Sequence, residues 1–426
     1  MSMTAAEKIF ARHAGRDRVR AGDFVFAKVD RALLNDITGP LAFDQLRAMG
    51  VDRIRDPDKV VLVGDHFAPP RDISAAEGLR SLQDFAKAQG VAHSYGVGDG
   101  GIEHTLLPEL GLVRPGDIII GGDSHTCTYG AFGALGSGLG STDIAAAIAM
   151  GELWFRVPET MVFEFEGRRG PFVAGKDLIL QILGDITTDG ATYRCMEFRG
   201  GGIAELEVNE RMAVANMAIE AGAKTCIIPA DAKTLAWAAD RGLTDCEAVV
   251  SDADADVADH RRYRLDTLEP LCARPFSPDN VAPVREVRNV RVDQVYIGNC
   301  ANGTLADLRQ AAQMLKGEKV AAGVRCIVVP ATQHIYRQAL KEGLIEIFLN
   351  AGVILSPPTC GACAGLHMGV LAGGQVAMAT TNRNFRGRMG ASDSQVYLAN
   401  AWVAAATAVA GEIIHPAEVG AKEIAG

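Results

Sequence analysis

Short apolar runs that end in polar turns are the feature of this sequence that most restricts its fold. Runs that are apolar on both faces are typical of parallel strands covered by helices. The segments between them are rich in Ala and Leu with helical periodicity, so the sequence predicts an α/β protein with largely parallel sheets. The runs are KVVLVG (59–64), DIIIG (117–121), QVYIG (294–298), CIVV (326–329) and GVIL (352–355).

The composition is that of a large globular protein. The chain has 426 residues, of which 48% are hydrophobic, enough for two or three domains with cores of their own. Its 42 basic and 52 acidic residues give a net charge of −10, which disfavours a general nucleic-acid binder. No apolar signal segment follows the N-terminus, so we expect a cytoplasmic protein. The uncharged stretch 395–411 is short for a membrane span, and we predict a buried C-terminal helix there.

Proline-containing segments suggest two domain boundaries. Val157-Pro158-Glu159 precedes a strand-like run, and residues 273–283 contain three prolines, which indicates an extended linker. We therefore expect three α/β subdomains that cover residues 1–160, 161–284 and 285–426.

Two Asp-His clusters each follow a predicted strand. Asp65-His66 comes after the first run, and Asp123-Ser124-His125 comes after the second. An aspartate beside a histidine can hold the imidazole in one tautomer and raise its basicity, as acid–base catalysis requires. One such pair is more often an ordinary hydrogen bond, but two at the carboxyl ends of strands favour a polar site. His104 lies in a further glycine-flanked turn, where a structural role is the simpler interpretation.

Cysteines form a second kind of candidate site. Cys360 and Cys363 form a C-x-x-C motif after the last predicted strand, and Cys300 follows another strand. A C-x-x-C motif can bind zinc, act in redox chemistry or be inert. A structural zinc site needs four ligands, and the sequence has no second such motif to complete it. Three thiolates on strand-end loops suit an iron–sulfur cluster that leaves one iron open.

The glycine run 130–140 invites a nucleotide-binding interpretation, but its spacing does not give G-x-G-x-x-G. Close packing of the backbone explains it better. Further along the chain, Arg383, Arg386 and Arg388 stand close together between Asn and Gly residues. They could form a solvated face, but planar guanidinium groups suit carboxylate binding, which we favour.

These motifs together resemble the aconitase superfamily and, within it, the large subunits of isopropylmalate dehydratases. The resemblance covers most of the chain. The segments that carry it are GDSHTCTYGAFGALGSGLGSTDIA, IGNCANG, PPTCGACAG and TTNRNFRGRMG, in the order of the family and with Cys300 and Cys360 60 positions apart.

The resemblance implies a [4Fe–4S] cluster with one open iron, held by Cys300, Cys360 and Cys363. Asp65 and His66 would protonate the departing hydroxyl group of the substrate. The other implied catalytic residues are His104, Asp123, His125 and Glu220, and the implied substrate-binding residues are Ser124, Asn216, Asn382, Arg383 and Arg388. Asn35 and Asp36 match the family only weakly and are assigned no role.

The implied activity is that of a hydro-lyase that reversibly dehydrates a hydroxy-dicarboxylic acid, with isopropylmalate of leucine biosynthesis as the expected substrate. Homoaconitate, dimethylmalate, citraconate and maleate hydration are the alternatives. The resemblance also implies a separate small subunit that carries the swivelling domain of aconitases. Rival interpretations are a cluster-free, iron-responsive RNA-binding protein and a zinc-stabilised scaffold. Asn299 and Ala301 depart from the family's Gly-Ser-Cys-Thr-Asn turn around Cys300.

Overall fold

The computed structural model describes residues 2–419, which are rich in both strands and helices. The strands are β1 (Phe24–Lys28), β2 (Arg31–Asn35), β3 (Val60–Val63), β4 (His93–Tyr95), β5 (Ile118–Gly121), β6 (Leu135–Gly138), β7 (Glu152–Arg156), β8 (Thr160–Glu166), β9 (Cys195–Arg199), β10 (Thr225–Ile227), β11 (Asp259–Arg264), β12 (Leu271–Ala273), β13 (Val281–Pro283), β14 (Gln294–Gly298), β15 (Arg325–Val329), β16 (Ile354–Leu355), β17 (Val376–Ala379) and β18 (Gln395–Leu398). The helices are α1 (Ala5–Ala14), α2 (Thr38–Ala48), α3 (Ile73–Gln89), α4 (Glu103–Glu109), α5 (Ser141–Met150), α6 (Gly175–Ile186), α7 (Gly201–Glu205), α8 (Val208–Asn216), α9 (Ala232–Ala239), α10 (Asn299–Asn302), α11 (Leu305–Leu315), α12 (Gln333–Lys341), α13 (Leu344–Ala351) and α14 (Ala401–Ala410).

The chain divides into two compact units. Of the described residues, the first unit contains 2–66, 70–167 and 189–264. The second unit contains residues 67–69, 168–188 and 265–419. The three subdomains that we expect from the sequence, with boundaries near residues 160 and 284, stay a prediction.

The first unit contains two parallel sheets and a small antiparallel ribbon. Five strands pair in the order β4-β3-β2-β5-β6, and four pair in the order β10-β9-β8-β11. Strands β1 and β7 form the ribbon. Every residue of β3 and β5 is buried, which explains why these two segments are continuously apolar. The predicted α/β class with parallel sheets is confirmed.

The glycine run lies in and after a long 3₁₀ segment, Ser124–Phe132, that connects β5 to β6. A Cβ atom at Gly130 would overlap the carbonyl oxygen of Cys226, and one at Gly136 would overlap the carbonyl oxygen of Thr126. Only glycine permits such close approach of two backbone segments. The interpretation of the run as a packing feature is therefore confirmed.

The second unit is built on one sheet of seven strands, ordered β13-β12-β18-β17-β14-β15-β16. The five strands from β18 to β16 are parallel, and β12 and β13 add an antiparallel edge. The runs predicted at 294–298, 326–329 and 352–355 all contain strands of this sheet.

One local prediction is wrong, and the predicted buried C-terminal helix is confirmed only over Ala401–Ala410. Residues 273–283 are not a linker: they begin and end in the paired strands β12 and β13. Pro283 is tolerated there because β13 is the edge strand, where one side of the backbone has no sheet partner. Residues 395–411 begin with β18, and α14 starts only after Asn400, whose side chain accepts from Val403 N. Between residues 2 and 419 we find no helix long and apolar enough to cross a membrane.

Candidate active site

Aspartate–histidine contacts at the carboxyl ends of β3 and β5 form the core of a polar site in the first unit. After β3, His66 Nδ1 lies 2.7 Å from Asp65 Oδ1. The backbone N–H groups of Asp65 and His66 both donate to Asp36 Oδ1, at 3.2 and 3.0 Å. Asp36 is the residue after β2, the neighbour of β3 in the sheet. The turn is thus fixed from two strands, and the orientation of the imidazole is fixed with it.

The surroundings of His66 change its affinity for a proton. Burial disfavours the charged imidazole, but attraction to Asp65 and contact with Asp123 outweigh it and raise the pKa of His66 well above its usual value. His66 Nε2 lies 3.6 Å from Asp123 Oδ2. An imidazole that keeps its proton at neutral pH in a buried site can act as a general acid.

Asp123 connects all three histidines of the site. Its Oδ1 lies 2.8 Å from His104 Nε2 and accepts the backbone N–H of His125 at 2.7 Å. Although burial opposes ionisation, the hydrogen bonds from His104, His125 and His66 hold the pKa of Asp123 well below its usual value. His104 is the second residue of α4, and not part of an open turn as its sequence suggests. Asp123 therefore stays ionised and keeps the imidazoles in place.

His125 extends the network to a second acid. Its Nε2 lies 3.0 Å from Glu220 Oε1, and its Nδ1 lies 3.5 Å from Ser124 Oγ. Glu220 belongs to the 3₁₀ segment that follows α8, and Asn216 is the last residue of α8. Asn216 Nδ2 donates to Thr128 Oγ1 at 2.8 Å, beside His125. The structure thus brings together all the predicted residues of the first unit.

The second unit carries the three predicted cysteines on two neighbouring turns. Cys300 lies in α10 directly after β14, and Cys360 and Cys363 follow β16. All three thiols are buried and outside any disulfide. Asn299 Nδ2 donates to Cys360 O at 3.1 Å, and Asn299 Oδ1 accepts the backbone N–H of Cys300 at 2.6 Å. One side chain therefore links the two cysteine turns.

The surroundings of the cysteines are polar and specific. Asn382 Nδ2 lies 3.3 Å from Cys300 Sγ, while its Oδ1 is buried and has no hydrogen-bond partner among the described residues. Tyr296 Oη donates to Cys360 O at 3.4 Å. Burial, and then the charges of Cys363, Cys360 and Cys300, raise the pKa of Tyr296 well above its usual value. All three cysteines thus lie within electrostatic reach of one phenol.

Comparison with known proteins matches these motifs to one family. The sequence matches the aconitase family (aconitate hydratase) over residues 7–289 and 285–411. The chain belongs to the aconitase family. Among solved structures it is similar to aconitase X of Thermococcus kodakaraensis in its holo-form, with a TM-score of 0.51 and 13% identity, over 92% of this chain and 93% of that one. That likeness supports the fold.

Three relatives of this aconitase-family chain are similar over their full length. The 3-isopropylmalate dehydratase large subunit of Heliobacterium modesticaldum is 53% identical over 419 residues, which is 98% of this chain and 100% of that protein. The 3-isopropylmalate dehydratase large subunit 1 of Pyrococcus abyssi is 53% identical over 421 residues, with 98% and 100% covered. The large subunit from Moorella thermoacetica is 54% identical over 419 residues, with 98% and 100% covered.

Membership of this family implies a [4Fe–4S] cluster as the cofactor. The donors in the second unit fit such a group, since three buried thiols and an amide N–H gather at strand ends. Three cysteine ligands would leave one iron of such a cluster without a protein ligand.

The three neighbouring arginines Arg383, Arg386 and Arg388 lie on the loop after β17. Arg383 and Arg388 are half-buried there. Arg386 is exposed, and its guanidinium carbon lies 3.9 Å above the ring of Phe276. Arg386 is thus engaged in a cation–π contact on the surface. The two remaining arginines, which are the two assigned to substrate binding, are the candidates for a carboxylate.

Two further residues contribute to the site, although the sequence assigns neither of them a role. Asp36 holds the Asp65-His66 turn, although only a weak family match marks it. Glu103 has its side chain buried beside His104, with Oε1 accepting from Asn35 Nδ2 at 3.2 Å and Oε2 without a hydrogen-bond partner in the described part of the chain. Burial, and then repulsion from Asp65 and Asp123, raise the pKa of Glu103 well above its usual value. In the sequence, Glu103 looks like an ordinary acidic residue at a helix start.

Proposed function

We propose that this chain is the large subunit of a 3-isopropylmalate dehydratase, which interconverts 2- and 3-isopropylmalate by dehydration and rehydration in leucine biosynthesis. The observation that carries the proposal is identity of about 53% to large subunits of that name over their whole length. The comparisons give no support to the RNA-binding alternative. The polar network of the first unit supports the same conclusion, because dehydration requires a buried acid beside fixed bases.

In this proposal, His66 supplies the proton to the departing hydroxyl group. Asp65 holds Nδ1 of His66 at 2.7 Å and Asp36 fixes the turn, so the proton is available at Nε2. The raised pKa of His66 keeps the imidazole charged near neutral pH. A general acid positioned in this way contributes about 10²- to 10⁴-fold to the rate.

Asp123, His104, His125 and Glu220 form the remainder of the proposed proton network. Asp123 Oδ1 contacts the imidazole of His104 at 2.8 Å and that of His125 at 3.3 Å. Glu220 Oε1 accepts from His125 Nε2 in that arrangement, so a proton can pass between the two residues over 3.0 Å. Ser124 and Asn216 are proposed to contact the substrate. Their positions beside His125 support those roles.

Cys300, Cys360 and Cys363 are the proposed ligands of the cluster. When bound, a cluster with three cysteine ligands supplies an open iron that can act as a Lewis acid toward a hydroxyl and a carboxylate. Asn382 donates its amide N–H toward the sulfur of Cys300. Arg383 and Arg388 are proposed to bind a substrate carboxylate, since guanidinium groups form paired hydrogen bonds with that group.

The proposed partner is a small subunit that carries the swivelling domain, and the proposed location is the cytoplasm. The names of the relatives as large subunits support the partner. Nine cysteines, all outside disulfides, suit a reducing compartment. We also keep the proposal of three subdomains, divided near residues 160 and 284.

The experiment that tests this function is anaerobic reconstitution with iron and sulfide, followed by assay with and without a 3-isopropylmalate dehydratase small subunit. We expect about four irons and four sulfides per chain, and conversion of 3-isopropylmalate to its isomer only when both subunits are present. Full activity of the chain alone would contradict the partner. Conversion of homoaconitate but not isopropylmalate by the complex would contradict the substrate.

A matched pair of histidine variants tests the acid. His260 in β11 also pairs with a carboxylate, with Nε2 2.8 Å from Glu164 Oε2, but lies outside the polar site. We expect His66→Ala to lower kcat by at least about 100-fold and His260→Ala to leave kcat within about twofold of the wild type. Equal effects of the two variants would remove the special role of His66.

A further inference from the structure

A buried lysine near the start of α6 has no role in the function proposed above. Lys176 is the second residue of that helix and its side chain is completely buried. Lysine is among the residues that are almost never fully buried unless their charge is paired. A cation near a helix N-terminus also opposes the helix dipole. Neither burial nor the helix dipole favours a lysine here, so its contacts must account for its presence.

Two of those contacts are to backbone carbonyl groups. Lys176 Nζ donates to Thr380 O at 3.1 Å and to Thr381 O at 2.5 Å. The two threonines directly follow β17 and directly precede Asn382 and Arg383. The ammonium group therefore holds the stretch of backbone from which both of these proposed site residues project.

The same stretch is tied to the cysteine turn. Thr380 Oγ1 accepts the backbone N–H of Gly298 at 2.9 Å and donates to the carbonyl of Gly298 at 3.1 Å. Gly298 lies two residues before Cys300, whose Sγ is 3.3 Å from Asn382 Nδ2. A shift of the carbonyls at 380 and 381 would therefore move both ends of the Asn382–Cys300 contact.

The neighbouring Asp177 anchors the helix that carries Lys176. Its Oδ1 accepts from Leu271 N at 2.8 Å, and its Oδ2 accepts from Asn400 Nδ2 and Ala174 N, both at 2.7 Å. These bonds hold the start of α6 against β12 and the N-terminus of α14, so the position of Lys176 is set independently of the loop. A fixed ammonium group can then impose its geometry on the loop.

We propose that Lys176 is a positioning residue of the dehydratase, which orients the Thr380–Thr381 backbone so that Asn382 reaches Cys300 and Arg383 faces the substrate. Only the expected change in kcat/KM rests on the proposed function. Removal of hydrogen-bond partners one step away from metal ligands typically costs 10- to 100-fold in activity or metal affinity. The role should therefore be visible in the cofactor as well as in turnover.

The test compares Lys176→Met with Lys319→Met, an exposed lysine that likewise donates to a backbone carbonyl, Asn350 O at 2.6 Å. After reconstitution, we expect Lys176→Met to alter the visible circular dichroism of the cluster and to lose iron in air at least about tenfold faster than the wild type. We expect Lys176→Met to lower kcat/KM in the complex by about 10- to 100-fold. The conservative variant Lys176→Arg should retain most of the kcat/KM of the wild type. Lys319→Met should match the wild type throughout.

A double-mutant cycle with Asn382→Ser separates positioning from general damage. If Lys176 acts through Asn382, the two substitutions together should cost little more than the larger of them alone. Effects that multiply, or a Lys176→Met protein indistinguishable from Lys319→Met, would overturn the proposal. Should Lys176→Met fail to fold, Lys176→Gln carries the test, with an altered circular dichroism and faster iron loss than Lys319→Met expected. An altered cofactor in a complex that does not convert isopropylmalate would refute the proposed function and leave this inference standing.

Discussion

Glu103 determines how many protons the polar network of the first unit holds. Its carboxyl group is buried near Asp65 and Asp123, and only one of its oxygens accepts a hydrogen bond among the described residues. An ionised carboxylate there would be a buried charge without compensation, which costs several kcal/mol. Its neutral form places no second charge beside Asp123, whose low pKa keeps it ionised against the histidines.

We therefore predict that Glu103→Gln keeps kcat within about threefold of the wild type and leaves the pH profile of kcat unchanged. Glutamine reproduces a neutral acid that accepts from Asn35 through Oε1. If Glu103 were ionised, its removal would lower the pKa of His66 and shift the alkaline limb of the profile toward lower pH. Glu197→Gln is the control. Glu197 is also buried and has a raised pKa, but it lies in β9, in the other parallel sheet of the first unit, and contacts Ser251.

Asn299 combines two contributions that can be measured separately. Its φ of 79° lies in the left-handed region, and its side chain links Cys360 O to the N–H of Cys300. We predict that Asn299→Ala destabilises the protein by about 2–3 kcal/mol through backbone strain and lost hydrogen bonds. Asn299→Gly should recover about 1 kcal/mol of that, because glycine adopts this backbone conformation without strain.

Urea unfolding of the cluster-free protein measures both substitutions. Asn289, at φ 61° and exposed on the surface, supplies the control for backbone strain alone. At that position alanine should cost about 1 kcal/mol and glycine nearly nothing. If alanine and glycine behaved alike at position 299, the argument from the left-handed conformation would fail.

At the scale of single residues, sequence analysis identifies chemistry that short motifs display. Asp123 and His125 stand in a recognisable strand-end motif, and the cysteines have a characteristic spacing. Glu103 and Lys176 could not be identified, because a glutamate at a helix start and a lysine in an amphipathic helix are ordinary features. Only the tertiary burial of those side chains distinguishes them.

At the scale of elements, a pair of aspartates, Asp30 and Asp117, connects α1 to β2 and β5. The pair lies at the amino ends of these strands, whereas the active site lies at their carboxyl ends. His13 Nε2, from α1, lies 2.7 Å from Asp30 Oδ2 just before β2, and that oxygen also accepts Ile118 N. Burial, and then repulsion from Asp30, raise the pKa of Asp117, which precedes β5, to about 7. Below that pH, the folded protein holds a proton that the unfolded chain releases at about 3.9.

The sign of the resulting pH dependence follows from linkage. Between about pH 4 and pH 7 the folded state binds this extra proton. The contribution of Asp117 to the free energy of unfolding therefore falls as pH rises, by up to about 1.4 kcal/mol per pH unit. We predict that Asp117→Asn removes this slope and is more stable than the wild type at pH 8. Thermal unfolding between pH 5 and 8 measures it, with the exposed Asp44→Asn as control. A variant with the slope of the wild type would refute the assignment.

Elements whose apolar pattern is uniform could be predicted, and elements set by pairing could not. The strands β3, β5 and β14 are buried along their whole length and were identified from composition alone. Residues 395–411 form both a strand and a helix, yet the segment is uncharged throughout. Its division depends on pairing of β18 with β17 and on the cap at Asn400, neither of which apolar content reveals.

At the scale of the whole molecule, cofactor binding should stabilise the folded chain. A group that binds only the folded state raises the free energy of unfolding. The increase is about 2.7 kcal/mol when the concentration of the group is about 100 times its dissociation constant. We predict that reconstitution with iron and sulfide raises the thermal midpoint of the wild type by about 5 °C or more. The triple variant Cys300→Ser, Cys360→Ser, Cys363→Ser should show no rise, and a rise in that variant would place the metal elsewhere.

The second unit is assembled from segments that are synthesised far apart in time. Lys176 and Asp177 leave the ribosome long before their partners Leu271, Thr380 and Asn400. At about 5–20 residues per second, the 224 residues between Lys176 and Asn400 take roughly 10–45 s to translate. During that interval α6 exposes its apolar face and has no sheet to cover it. A chain truncated near residue 264 should therefore be a substrate for chaperones and proteases, even though every segment of the first unit has already been made.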